Sequence, residues 1–333
     1  MPVDHSSEDE ANRVPVGIAV ENKAGELDFG TLKTGGIIKQ RQKDLFTVRL
    51  KCPGGRMTLD RLAKIVEVAR KYGGDYVHLS VRQSVEIPYV NYRDVAQVQQ
   101  ELAAVGQEIA SCGARVRVPT ACAGCEYNPN GLTETQKMAA ETADRFFGQP
   151  RPLPHKFKIV FAGCPIDCPR ASSADLSFQG AVRPTWEQEA CIGCRICAEA
   201  CQEGAIESDD QSGEPIFRPE KCLYCGDCIR NCPTEAWRSQ AVGWIVRVGG
   251  KHGRHPILSQ RIAQFVPDEK VPEIVEAVLQ WYERNGAGKG RVRIGALLTD
   301  EATWQEFLEH MKPVLGSHAI PGLPPPRPIE IHF

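Results

Sequence analysis

Apolar and polar side chains alternate across 46–51, where Phe46, Val48 and Leu50 are set against Thr47, Arg49 and Lys51. This period of two predicts a strand, which Pro53-Gly54-Gly55 ends. The period then lengthens. Thr58 is placed to cap a helix whose Leu62, Ile65, Val66 and Ala69 recur at i, i+3, i+4 and i+7, and Gly73-Gly74 closes it. Residues 76–81 and 85–90 read as strands, Val95, Val98, Leu102 and Val105 as the stripe of a second helix, and 114–118 as another strand. The order βαββαβ predicts a ferredoxin-like split sandwich, a two-layer α+β unit over 36–118 that follows an N-terminal extension, 1–35.

Farther along, a helical stretch over 133–147 leads to a strand at 157–161 and then to Gly163-Cys164-Pro165-Ile166-Asp167-Cys168. A strand at 244–248 runs into Gly249-Gly250-Lys251-His252-Gly253-Arg254, a loop without the spacing of a P-loop or dinucleotide fingerprint. From Pro272, the positions Ile274, Val275, Val278, Leu279 and Tyr282 mark a helix that stops near Gly286. The proline-rich tail, 321–333, is expected to be extended and to lie on a partner.

The chain of 333 residues is 42% apolar, enough for about two domains with cores of their own. Its formal charge of -2 offers no global basic field, so no nucleic-acid partner is expected. No apolar run approaches the ~20 residues of a membrane span. Residues 1–12 are polar and lack a hydrophobic signal core, which points to the cytoplasm. Fourteen cysteines in a reducing compartment point to metal or redox chemistry in preference to disulfides.

Twelve of those cysteines lie between 122 and 232. Cys191, Cys194, Cys197 and Cys201 read C-x2-C-x2-C-x3-C, and Cys222, Cys225, Cys228 and Cys232 repeat the spacing and end in Cys232-Pro233. In a bacterial two-cluster ferredoxin each run gives three thiolates to one cubane and its fourth to the other. Cys191, Cys194, Cys197 and Cys232 are therefore assigned to one 4Fe-4S cluster, and Cys222, Cys225, Cys228 and Cys201 to a second. Zinc sites usually pair two C-x2-C knuckles instead. Residues 203–221 between the runs leave room for a hairpin and a turn of helix, and the module over 184–238 reads as an insertion. Its Arg195, Lys221 and Arg230 are candidate donor-docking charges. Four more cysteines form two close pairs, Cys122 with Cys125 and Cys164 with Cys168; they suit a third cubane, with a structural zinc as the alternative. Cys52 and Cys112 fall outside every motif and read as small buried apolar residues.

The stretch from Pro154-His155-Lys156-Phe157-Lys158 through Gly163-Cys164-Pro165-Ile166-Asp167-Cys168 resembles the second cluster motif of the siroheme sulfite and nitrite reductases. Tyr72-Gly73-Gly74 through Val77-His78-Leu79-Ser80-Val81-Arg82-Gln83 is similar to another family stretch, and the insert resembles that of the catalytic chain of the anaerobic, dissimilatory-type sulfite reductases. The resemblance covers roughly 36–300. It implies an α+β fold with a siroheme/4Fe-4S α/β domain over 119–183 and 239–320, siroheme and three 4Fe-4S clusters as cofactors, and Cys168 as the thiolate bridging cluster and siroheme iron. It implies anion binding by Arg82 and Arg117. The family's first motif is usually C-x5-C, whereas this chain has C-x2-C and Asn128 stands where the second thiolate would fall. Either Cys125 substitutes through a changed loop, or the cluster is bound differently and siroheme is weakened or absent.

Reducing a small oxyanion needs cations that hold it and groups that deliver protons. Lys156 and Lys158 alternate on an extended segment and share a face, so they join Arg82 and Arg117 as candidate catalytic residues. Siroheme carboxylates would draw on Arg49, Lys51, Arg56, Lys251, Arg254 and His255. The expectation is six-electron reduction of sulfite to sulfide, with nitrite as the second choice of substrate and a siroheme-free electron-transfer subunit or a reductase of another small substrate as rivals. No flavin or nicotinamide fingerprint is present, so electrons come from a donor protein. The family's full-length members carry two copies of this half, which implies a homodimer or heteromer.

Overall fold

The computed structural model describes residues 27–330, so most of the N-terminal extension and the last three residues of the tail lie outside it. The chain divides into two compact units. The first holds residues through Thr120 with Ala139–Ile159 and Tyr282–Arg293; the second holds Ala121–Met138, Val160–Trp281 and the residues from Ile294 on.

The first unit begins with α1 (Phe29–Thr34), which Asp28 caps through its carboxylate, and continues through β1 (Ile37–Lys39), β2 (Leu45–Arg49), α2 (Leu59–Tyr72), β3 (His78–Leu79), β4 (Val85–Asn91) and α3 (Val95–Ala103). The strands form an antiparallel sheet in the order β1-β2-β4-β3. Phe46, Val48 and Leu50 point inward as their alternation requires, and Val95, Val98 and Leu102 are fully buried. Thr58 caps α2 by accepting from the Arg61 N–H at 3.4 Å. That helix is rotated from the expected face: Ile65, Val68 and Ala69 are buried while Leu62 and Val66 are exposed. Positions 65, 68, 69 and 72 satisfy the same i, i+3, i+4, i+7 rule, and packing selects between the two stripes. The strand expected at 76–81 shrinks to His78–Leu79, with Leu79 and Val81 exposed.

The strand expected at 114–118 does not form. Ile37–Lys39 takes the outer place beside β2, and Val116 makes a single parallel bridge to Phe157. Gly113, at φ 83, turns the chain just before this segment, and Pro119, which has no N–H to donate, follows it.

The second unit is built on a five-stranded sheet. Its elements in chain order are β5 (Thr120–Ala121), α4 (Thr135–Phe146), β6 (Ile159–Ala162), β7 (Leu176–Trp186), α5 (Ile196–Ala200), β8 (Ile206–Ser208), β9 (Pro215–Phe217), α6 (Asp227–Arg230), β10 (Trp237–Val248), β11 (Ile257–Leu258), β12 (Gln260–Val266), α7 (Val271–Gly286), α8 (Ile294–Leu297), α9 (Glu301–Leu315) and β13 (Arg327–Pro328). The boundary between the units falls within α4 and α7. The sheet runs β12-β10-β7-β6-β5, and its centre stacks Phe161 on Phe178 at 5.1 Å with Trp244 edge-on to both. The chain leaves this sheet after Trp186 and returns at Trp237, which is the Cα partner of Trp186 across the β7–β10 ladder. Between them lie the β8–β9 hairpin and two short helices. The tail is extended, but it lies on its own unit: β13 pairs with β11, and Leu323 O accepts from the Trp304 indole at 2.7 Å. Among the described residues, no helix is long and apolar enough to cross a membrane.

Candidate functional site

In the first unit, Arg49 at the end of β2 stands in register with Glu86 on β4 and pairs with it at 2.6 Å, both side chains 13% exposed. Arg82 reaches the same carboxylate at 3.7 Å. Arg117 wraps the preceding turn, donating to Ser111 O at 3.0 Å and Gly113 O at 3.2 Å, while its Nε is buried without a hydrogen-bond partner. Cys112, in that turn, is buried with its Sγ 3.7 Å from Arg49 Nη1.

These charges act on one another. Burial, then Arg49 and more weakly Arg117, push the Arg82 guanidinium below its ordinary value against the pull of Glu86. Burial alone would push the Cys112 thiol up, but Arg117, the Gly113 N–H and Arg49 together bring it down. His155 is lowered to about 4 by burial and by Lys156, Arg291, Arg293 and Arg117. Arg117 thus acts on both ends of one cationic region. Cations that suppress each other's protonation in this way are relieved by a bound anion. Lys156 and Lys158 flank Phe157, which is fully buried, and hydrogen bonds from Phe157 to Arg115 and from Arg117 to Phe157 hold that segment extended.

The sequence reading missed Glu86, Arg291, Arg293 and the anchoring of Cys112. Nothing in their spacing marks them; Glu86 could have been found as the cross-strand neighbour of Arg49. Lys51 is held by Glu108 at 2.8 Å and Asp144 at 3.7 Å. Arg56, Arg254 and His255 are exposed, and Lys251 bridges to Ile257 through its backbone.

In the second unit, Cys122 accepts N–H bonds from Gly163 at 3.0 Å and Gly124 at 3.4 Å. The Cys164 thiol is pushed up by burial and by its neighbours Cys122 and Cys168, against the Ile166 N–H. Cys168 is exposed, as is Cys125 on the turn Gly124–Glu126. Behind Cys122 the backbone packs without room for side chains: a Cβ on Gly163 would fall 2.8 Å from Gly124 Cα, and one on Gly180 would fall 2.4 Å from Gly163 O.

A small cavity in the excursion between β7 and β10 is lined by Cys191, Cys194, Cys197 and Cys232, with Arg195 and Trp237 among its other walls. Cys228, lifted to about 12 by burial, also feels Cys222, Cys225 and Cys201. Backbone N–H groups approach the sulfurs of Cys191 from Gly193, Cys222 from Tyr224 and Cys201 from Ala205, at 3.3–3.5 Å. Among the described residues, no three His, Cys, Asp or Glu side chains meet at a point that would hold a single metal ion. A cubane carries its four thiolates around a larger body. Arg195, Lys221 and Arg230 are engaged locally, with Asp210 O, Glu207 and Asp227 respectively.

A ferredoxin-like half domain combined with a cysteine-rich sheet domain defines an α+β iron-sulfur oxidoreductase. Residues 112–318 match the model described as nitrite and sulphite reductase 4Fe-4S domain, and 38–105 that of the nitrite/sulfite reductase ferredoxin-like half domain; the chain belongs to this family. It is 32% identical over 296 residues to coenzyme F420-dependent sulfite reductase of Methanocaldococcus jannaschii, covering 89% of this chain and 46% of that protein. It is 26% identical over 290 residues to one of the subunits of the anaerobic sulfite reductase of Salmonella typhimurium, covering 82% and 84% of the two chains. In fold it is similar to dissimilatory sulfite reductase I, with a TM-score of 0.66 at 20% identity over 83% of this chain and 70% of that one.

Proposed function

We propose that this chain is the catalytic subunit of a siroheme reductase that takes sulfite to sulfide in a six-electron reduction, with nitrite as a second substrate. The observation that carries the reading is the cationic set Arg49, Arg82, Arg117 and Lys156, which holds the Arg82 guanidinium and the His155 imidazole below their ordinary values although Glu86 lies beside Arg82. A protein that only relayed electrons would have no use for it.

The residues present fit the implied cofactors. Three groups of thiols, backbone N–H donors aimed at their sulfurs and a side-chain-free cradle behind Cys122 suit cubanes held by Cys122, Cys125, Cys164 and Cys168, by Cys191, Cys194, Cys197 and Cys232, and by Cys222, Cys225, Cys228 and Cys201. Siroheme, held in part through Cys168, would supply the iron chemistry that the reduction of a small oxyanion needs. Its carboxylates call on Arg49, Arg56, Lys251 and Arg254, whereas Lys51 is already held by two carboxylates. Arg82 and Arg117 orient the oxyanion through fixed guanidinium N–H groups, and Lys156 and Lys158 give up protons as oxygen leaves as water. The excursion over 184–238 brings electrons from a donor protein. A second half, from another copy or a different protein, completes the assembly. We place the protein in the cytoplasm.

The test is an absorption spectrum of anaerobically purified protein with iron and labile sulfide counted. The expected result is a Soret band, a red band and about twelve cluster irons in addition to the siroheme iron. Full iron and sulfide with no extractable tetrapyrrole would falsify the reductase reading and establish an electron-transfer role.

A further inference from the structure

The third cysteines of the two repeated runs, Cys197 and Cys228, occupy equivalent places in the motif but have different surroundings. Both are buried. Cys228 is approached by a backbone donor, the Ile229 N–H. Cys197 is approached by a side-chain donor, the indole of Trp237, which packs in the same buried cluster. Trp237 is 2% exposed and packs edge-on to Phe217 at 5.6 Å. Its Nε1 has no hydrogen-bond partner of ordinary geometry, although it is closed off from water. An indole N–H can only donate, and leaving one buried and unpaired costs free energy. Trp237 also lines the cavity that Cys191, Cys194, Cys197 and Cys232 line. A thiolate sulfur in that cavity is the acceptor its position offers.

We infer that Trp237 is a tuning residue: its indole N–H donates to the Cys197 thiolate and raises the reduction potential of the cluster held by Cys191, Cys194, Cys197 and Cys232 relative to its companion. The inference rests on the cluster reading above. The physical reason is that one-electron reduction adds negative charge to the cluster, and a donor to a ligand sulfur stabilises the more negative state. Among the described residues Cys228 has a backbone donor and no such side-chain donor, so the two potentials separate. No proton or bond is transferred; only the midpoint moves.

The experiment is a potentiometric titration of the holoprotein followed by electron paramagnetic resonance. In Trp237→Phe, which keeps an aromatic ring and removes the N–H, the higher-potential ferredoxin-type signal should shift to lower potential while its companion stays in place. In wild type labelled with 15N-indole tryptophan, a nitrogen hyperfine coupling should appear on that same reduced cluster, and this readout stands even where the variant fails to load. Unmoved midpoints, equal shifts of both signals, or no nitrogen coupling would each overturn the tuning role while leaving the clusters in place. Protein lacking iron and sulfide would overturn the cluster reading itself, and the tuning role with it.

Discussion

At the scale of single residues, the proposed function has the first unit separate holding an anion from delivering protons to it. Arg82 sits where burial and Arg49 already oppose its charge, so an anion gains from relieving that opposition. Arg82→Ala should therefore raise the apparent Michaelis constant for sulfite strongly. Lys156→Ala or Lys158→Ala should lower the turnover number by on the order of 10²-fold, the scale of a lost proton donor. Steady-state kinetics with cluster content as the control checks both, and normal turnover by all three variants would move the active site elsewhere. His155 gives a separate pH signature. Its folded value near 4 lies below the ordinary 6.5, so the unfolded chain binds the extra proton between those values. The stability it contributes is complete above about pH 6.5 and is lost as the pH falls toward 4. Thermal melts of His155→Gln should show a shallower decline across that window, and an unchanged slope would mean that His155 does not titrate as described. Arg82, Arg117, Lys156 and Lys158 could be proposed from sequence because they lie beside motifs with fixed spacing. Glu86, Arg291 and Arg293 were not, since cross-strand register and long-range packing bring them in.

At the scale of elements, a glycine cradle governs the third group of cysteines. Gly180 on β7 packs against Gly163 O, and Gly163 packs against Gly124 beside the Cys122 sulfur. Gly180→Ala places a Cβ against backbone that cannot yield without moving the Cys164 turn. Its expected result is cluster iron reduced by about a third, with the signals of the other two clusters retained. Full iron in that variant would show that the cradle is not tied to cluster assembly. The central strands and helices of the split sandwich were readable because each buries one face, which imposes a period of two or 3.6. The outer strand was not. Ile37–Lys39 is three residues long, too short to show alternation, and the apolar pattern at 114–118 is used on one bridge to Phe157. The long β10 was half legible: Trp244, Ile245, Val246 and Val248 are apolar, but Arg238, Ser239 and Gln240 face solvent and carry no strand pattern.

At the scale of the whole molecule, the excursion between Trp186 and Trp237 is closed by a single cross-strand pair and carries two of the three groups of thiols. The cationic residues of the first unit lie outside it in sequence. Spacing alone divided its eight cysteines into two crossed sets, because a C-x2-C-x2-C loop can turn its thiolates toward one body and the C-x3-C arm reaches past it. Under the proposed function the labour divides accordingly: the excursion would conduct, and the rest of the chain would bind and reduce. Cys194→Ser combined with Cys225→Ser should therefore abolish turnover driven by a protein donor, since each removes a ligand from a different cluster. Sulfite should still shift the absorption spectrum with its usual affinity, and a small artificial reductant that reaches the remaining centre directly should restore part of the rate. Loss of anion binding in parallel with donor-driven turnover, in protein that keeps its fold by circular dichroism, would mean that the excursion helps to shape the anion site, and the separation argued here would be wrong.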